Sequence, residues 1–156
     1  IAHINGLRPP RYTIRKGMKL KILPEERFPC TIVVDKSDLT LTWYLDGKWI
    51  RQYRCCVGAA GKTPAGVYTI GRKEAEPAWR NPDDGKLYEY GNPENPLGTR
   101  WLSLEGNNTD GLGIHGTIHP DSIPGRTSNG CVRLHNTDVE ELYAFALIGS
   151  RVEIRE

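Results

Sequence analysis

Gly113-Ile114-His115-Gly116-Thr117 is followed, across a loop, by Ser128-Asn129-Gly130-Cys131-Val132-Arg133-Leu134-His135-Asn136. The stretch holds three of the chain's four histidines and one of its four cysteines. A nearby imidazole can take the proton of a thiol and hold the thiolate, so His115 and Cys131 read as a base and a nucleophile if folding joins them. Gly130 permits a tight turn before Cys131 and a close approach of substrate. The backbone N–H groups of Asn129, Gly130 and Cys131 are candidates to converge on a developing oxyanion. Arg133 offers a permanent forked cation for a carboxylate. Spacing alone leaves two other readings open. A single cysteine is commonly a small buried hydrophobe. His115, His119, Cys131 and His135 are also ligand types suited to zinc, although paired Cys-x-x-Cys knuckles are absent.

The surrounding sequence adds three further segments in order. Val57-Gly58 precedes Thr63-Pro64-Ala65-Gly66-Val67-Tyr68, and Asn95-Pro96-Leu97-Gly98-Thr99-Arg100-Trp101 follows. Together with His115-Gly116-Thr117 and Ser128-Asn129-Gly130-Cys131-Val132-Arg133, this arrangement resembles the L,D-transpeptidase catalytic domain family, the YkuD-type fold, over roughly residues 29–156. Many members carry His where this chain has Asn129, and Asn where it has Arg133. The resemblance implies a mostly β fold of mixed sheets with one C-terminal α-helix. It also implies a cysteine-dependent acyltransferase acting on peptidoglycan stem peptides. Cys131 is then the nucleophile and His115 the base. The Gly116 carbonyl holds the second imidazole nitrogen, and Ser128, Thr117 and Arg133 contact substrate. Thioester chemistry on cysteine calls for no cofactor and no metal. Two alternatives are an L,D-carboxypeptidase with water as acceptor and a catalytically idle wall-binding module.

A length of 156 residues suits one domain with a small appendage. Seventeen glycines and eleven prolines, with little helix signal, favour a turn-rich β fold. Charge marks a boundary. Residues 1–24 carry Arg8, Arg11, Arg15, Lys16, Lys19 and Lys21 and no acid, whereas the remainder is acidic on balance. The reading is therefore a basic segment, 1–24, ahead of a catalytic domain, 28–156. Ile1–Leu7 reads as a helix end stopped by Gly6, and Tyr12–Leu23 as a strand interrupted by a turn at Gly17. The segment resembles the second half of a LysM module, and such a module, if completed, implies contact with glycan strands. No aromatic-interleaved basic stripe suggests nucleic acid, and no apolar run is long enough to span a membrane. The chain does not begin with Met and shows no signal peptide, so it reads as a mature or trimmed piece, and the resemblance implies a bacterial protein working in the periplasm or cell wall. A monomer is expected.

Strands are expected at 31–34, 39–45, 49–57, 67–70, 100–104, 112–115 and 151–155. Asp46-Gly47 marks a hairpin turn. Trp49, Tyr53, Cys55 and Val57 alternate with Ile50, Gln52, Arg54 and Cys56, a period-two pattern with one face buried and one wetter, and the thiols of Cys30, Cys55 and Cys56 are expected to be partly buried. In a meander Cys30 pairs near Tyr44 and Cys55 near Leu39, about 16 Å apart along the strand. A disulfide needs Cα atoms within about 7 Å, so all four cysteines are expected to be free. The Gly58–Gly66 loop lacks the ending of a phosphate cradle. Residues 72–98 read as one long loop whose Trp79, Tyr88 and Tyr90 could wall a groove. Thr137 and Glu140 suggest a capping box for a helix with Val139, Leu142, Tyr143, Ala146 and Leu147 on its apolar face, ended by Gly149.

Overall fold

The computed structural model of the chain describes Asn5 and residues 13–20, 30–107 and 109–156. The strands are β1 (Cys30–Asp35), β2 (Thr40–Leu45), β3 (Lys48–Arg54), β4 (Cys56–Gly58), β5 (Gly66–Ala75), β6 (Trp79–Arg80), β7 (Leu87–Tyr88), β8 (Arg100–Glu105), β9 (Gly113–His115), β10 (Gly125–Ser128), β11 (Val132–Arg133) and β12 (Arg151–Arg155). One helix, α1 (Asn136–Phe145), lies between β11 and β12. Among the described residues, ten strands form one mixed sheet in the order β10-β4-β11-β9-β8-β5-β12-β1-β2-β3, and β6 pairs separately with β7. The mostly β class with a single helix agrees with the sequence reading.

Alternating apolar residues explain the centre of the sheet. Ile32 and Val34 of β1, Val152 and Ile154 of β12, and Tyr68 and Ile70 of β5 all point to the core. The Asp46-Gly47 turn has both residues at positive φ, 51° and 69°, the geometry that closes a two-residue hairpin. It fixes Cys30 opposite Leu45, while the Cys55 N–H reaches the Leu39 carbonyl at 2.9 Å. The two thiols therefore sit at opposite ends of β2, and all four cysteines are free.

Four expectations need correction. Trp49 is 55% exposed, not buried. Trp43 faces Arg51 and Tyr44 faces Trp49, so Ile50 is an extra residue that flips the faces. Cys56 is buried along with Cys55, so the alternation ends there, because the chain leaves β2 after Arg54 and enters β4 between β10 and β11. The long loop starts later than residue 72: β5 runs to Ala75, and a β6–β7 hairpin interrupts the rest. The capping box does not form. His135 is the N-cap, without a side-chain bond, and Thr137 sits exposed inside the first turn. The helix stops at Ala146, which is extended, and Gly149 instead begins the return to β12 by donating to the Ile70 carbonyl at 2.7 Å. The helix and LysM-like readings of residues 1–24 lie largely outside the described residues. Residues 13–20 show a turn at Lys16–Gly17 but no strand.

Val139, Leu142 and the following Ala146 bury one face of α1 in the core. Phe145 stacks on the fully buried Trp43 at 5.3 Å, and the Trp43 indole N–H donates to the Tyr53 hydroxyl at 3.1 Å. A buried Glu141 carboxylate lies 3.5 Å from Arg51 Nε, tying the helix to β3. Among the described residues no helix is long and apolar enough to cross a membrane.

Lys73 satisfies the carbonyls that α1 leaves free at its C-terminus. Its Nζ donates to Tyr143 O at 2.7 Å and Ala146 O at 2.6 Å, and lies 4.3 Å over the Tyr143 ring. Lys73→Met leaves both carbonyls without this partner. Urea denaturation is expected to show a loss of about 1–3 kcal/mol. A loss below a few tenths would remove Lys73 as the helix anchor.

Candidate active site

Strand register builds the site. Glu74 of β5 pairs with Trp101 of β8, Trp101 with His115 of β9, and His115 with Arg133 of β11. Residues directly opposite share a face, so an acid, an indole, an imidazole and a guanidinium form one row. Cys131 stands two residues before Arg133, at the mouth of β11.

The turn carrying Cys131 is held from both sides. Gly130 has φ 135°, a conformation that side chains rarely adopt. A Cβ there would stand 3.1 Å from the Lys62 carbonyl. The buried Thr63 hydroxyl accepts from the Gly58 N–H at 2.7 Å and donates to the Gly130 carbonyl at 2.6 Å. Ser128 Oγ donates to the Cys131 carbonyl at 2.6 Å and accepts from the Gly130 N–H at 3.2 Å. The Gly58–Gly66 loop is thus a buttress for the cysteine turn, a role its composition did not announce.

His115 is 3% exposed, with Nδ1 2.6 Å from the Gly116 carbonyl and its ring 5.8 Å from that of Trp101. Burial, then the Arg133 charge, push its pKa down to about 4, against a partial pull upward from the Gly116 and Leu97 carbonyls. Burial raises the Cys131 thiol above its ordinary value, while the Gly113 N–H and Arg133 draw it back. The thiol donates to the Gly111 carbonyl at 3.2 Å. Both partners therefore rest neutral, a protonated thiol and an uncharged imidazole. Arg133 acts in opposite senses on them, favouring thiolate and opposing imidazolium.

His115, Cys131, Arg133, Ser128, Asn129 and Leu97 line one cavity of about 280 Å³. A second, also about 280 Å³, is lined by Arg72, Glu74, Trp79, Arg80 and Trp101, and it too reaches Cys131. The thiol stands where the two meet. Trp79 lines both and stacks on the buried Tyr88 at 5.6 Å, whereas Tyr90 lines neither. The buried Asn95 carboxamide pins this segment, donating to Pro77 O at 2.9 Å and accepting from the Leu97 N–H at 3.0 Å.

The remaining residues singled out from sequence divide clearly. Arg133 Nε is buried with no hydrogen-bond partner, and among the described residues no ion pair joins Arg133 to an acid. The Asn129 side chain receives a long contact from Lys62 Nζ at 3.4 Å. Thr117 is buried behind the histidine loop, its hydroxyl accepting from the His119 N–H at 2.9 Å, and it lines neither cavity. His119 is exposed and His135 caps α1; among the described residues no three His, Cys, Asp or Glu group as a metal site. Sequence reasoning missed Thr63, Trp101 and Asn136. Thr63 and Trp101 lie in segments that carried the family resemblance, whereas Asn136 closes the quoted stretch with no role assigned to it.

A family model described as the L,D-transpeptidase catalytic domain, YkuD, matches residues 29–154. YqjB of Bacillus subtilis (strain 168), which carries L,D-transpeptidase in its name, is 36% identical over 128 residues, covering 80% of this chain and 70% of that protein. ErfK/SrfK of Escherichia coli (strain K12), similarly named, is 30% identical over 159 residues, covering 90% of this chain and 50% of that protein. Among solved structures, the catalytic domain of the Enterococcus faecium L,D-transpeptidase is 25% identical with a TM-score of 0.64, covering 85% of this chain and all of that one. An L,D-transpeptidase from Mycobacterium smegmatis has a TM-score of 0.67 at 18% identity, covering 83% of this chain and 59% of that one, and speaks to the fold alone.

The depressed His115 pKa makes a stability prediction with a definite sign. The unfolded imidazole binds a proton near pH 6.5 and the folded one only near pH 4. Stability from the neutral buried ring is therefore complete above pH 6.5 and falls as pH drops from 6.5 to 4. Comparing His115→Gln with the parent by urea denaturation at pH 7 and pH 4 is expected to show the parent losing about 3 kcal/mol more than the variant. Equal losses would mean that the ring is not held neutral.

Proposed function

The chain belongs to the L,D-transpeptidase catalytic domain family, YkuD, and from that premise we propose that it joins peptidoglycan stem peptides through a thioester on Cys131. The observation that carries this reading is the convergence of Cys131, the oriented His115 and the cation Arg133 on one cavity. Cys131 Sγ attacks the carbonyl of the third residue of a tetrapeptide stem as its proton passes to His115. The tetrahedral intermediate collapses with cleavage of the bond to D-Ala, and His115 returns the proton to the leaving amine. An acceptor amine then attacks the thioester, gives its proton to His115, and the thiol is restored. Backbone N–H groups of Asn129 and Cys131 receive the oxyanion, since that of Gly130 is engaged by Ser128 Oγ. Ser128 holds the cysteine turn and also lines the cavity open to substrate, whereas Thr117 holds the histidine loop from outside both cavities.

Arg133 takes a carboxylate of the donor peptide. Its unpartnered Nε supports this role, because a buried guanidinium donor without a partner costs energy until a ligand supplies one. The peptidoglycan substrate places the work outside the cytoplasm, in the periplasm or wall. The LysM resemblance of residues 1–24 rests on sequence alone, and a complete module would add glycan strands as a partner.

Incubation with a defined tetrapeptide stem, read by mass spectrometry, tests the reading. A cross-linked dimer is expected, with a thioester adduct on Cys131. A trimmed tripeptide alone would identify water as the acceptor, and no change would leave the thiol idle. Cys131→Ala is expected to form no adduct, whereas Cys55→Ala still acylates, because burial pushes the Cys55 thiol up to about 12. Arg133→Lys keeps the charge but loses the fork. It is expected to lower kcat/KM by about 10- to 150-fold with little change in Tm. A fall in Tm with unchanged kinetics would make Arg133 structural.

A further inference from the structure

A single carboxamide grips the peptide unit that orients His115. Asn136, the first residue of α1, accepts at Oδ1 from the Thr117 N–H at 3.0 Å and the Thr99 N–H at 3.3 Å. Its Nδ2 donates to the Thr117 carbonyl at 3.0 Å. These partners fix which way the amide faces, since two N–H donors meet its oxygen and a carbonyl meets its nitrogen. The Thr117 N–H belongs to the same peptide plane as the Gly116 carbonyl, the acceptor 2.6 Å from His115 Nδ1. The backbone makes room for the carboxamide: a Cβ on Gly116 would lie 2.1 Å from Asn136 Oδ1. That distance is a collision, so position 116 is closed to any larger residue while Asn136 stays in place.

We infer that Asn136 is a positioning residue for the reaction, holding the Gly116–Thr117 peptide so that its carbonyl keeps a proton on His115 Nδ1. The Nε2 lone pair is then left as the site that takes the thiol proton. Accepting from the Thr117 N–H also polarises that peptide and strengthens its carbonyl as an acceptor. Asn136 touches neither cavity and acts through the backbone. The inference rests on the Cys131–His115 reading and is independent of the substrate.

A role confined to starting the helix predicts something different. An acid in the first helical turn is favourable, so Asn136→Asp should then be at least as good as the parent. Positioning predicts the reverse, because the second carboxylate oxygen meets the Thr117 carbonyl where an N–H donor is needed. The readout is the pH dependence of Cys131 alkylation by iodoacetamide, resolved by site with mass spectrometry and paired with Tm. The parent is expected to show a rate near pH 7 that His115→Ala lacks. Asn136→Asp is expected to keep Tm within a few degrees and lose about tenfold or more of that rate. The variants should converge at high pH, where thiolate forms unaided. Parent-like alkylation by Asn136→Asp across the pH range overturns the proposal. A His115→Ala variant that alkylates like the parent instead overturns the cysteine–histidine reading, and Asn136 falls with it. If Asn136→Asp does not fold, ring 15N shifts of His115 in Asn136→Ser decide against those of the parent: loss of the parent's Nδ1–H tautomer supports the proposal, and an unchanged tautomer population overturns it.

Discussion

The parallel pairing of β9 with β11 is the constraint on which the site depends. It sets His115 directly opposite Arg133 and so brings the cysteine turn beside the histidine. Two-residue β11 could not hold that register alone. Thr63 and Ser128 fix the turn ahead of it, and the Leu134 N–H donates to the His115 carbonyl at 2.9 Å just after it. A slip of one residue would turn Arg133 to the other face and part the guanidinium from the imidazole. The glycine-rich loop, the cysteine turn and the histidine strand thus form one mechanical unit, although they are distant in sequence.

That register has an electrostatic consequence. A buried imidazole beside a fixed guanidinium is hard to protonate, and His115 is pushed down to about 4 while burial raises the Cys131 thiol. The resting pair is neutral on both sides. A preformed thiolate–imidazolium pair would need the opposite ordering. In the proposed reaction, proton transfer from Cys131 to His115 would accompany attack on the substrate carbonyl rather than precede it. If Arg133 takes a donor carboxylate as proposed, that carboxylate would cancel part of the charge that opposes imidazolium and so strengthen the base.

How much of this was legible follows from the range of each interaction. The hairpin register was readable because Asp46-Gly47 fixes the turn locally, and the separation of Cys30 from Cys55 followed. The bulge at Ile50 was not, since one extra residue has no compositional mark and reveals itself only by exposing Trp49. Strands β4, β10 and β11 are too short to show a period. The cysteine–histidine pair was visible as a motif, but its support was not. Thr63 meets Gly130 67 residues away, and no local pattern encodes that contact. Asn136 stands at the first helical position, yet its side chain serves the histidine loop rather than the helix, a contact 19 residues away that no local pattern marks.

Helix α1 links the core to that loop. At its far end Lys73 holds the last carbonyls and Phe145 stacks on Trp43, deep in the core. At its near end Asn136 holds the Gly116–Thr117 peptide. A helix shift that lengthened both contacts by about half an ångström would take them to the limit of hydrogen bonding or beyond it, since they start at 3.0 and 3.3 Å. The geometry of His115 is thus set by packing around Trp43 as well as by its own neighbours. Core substitutions there should register in the chemistry before they unfold the domain, the behaviour of a site mounted on rigid elements rather than on loops alone.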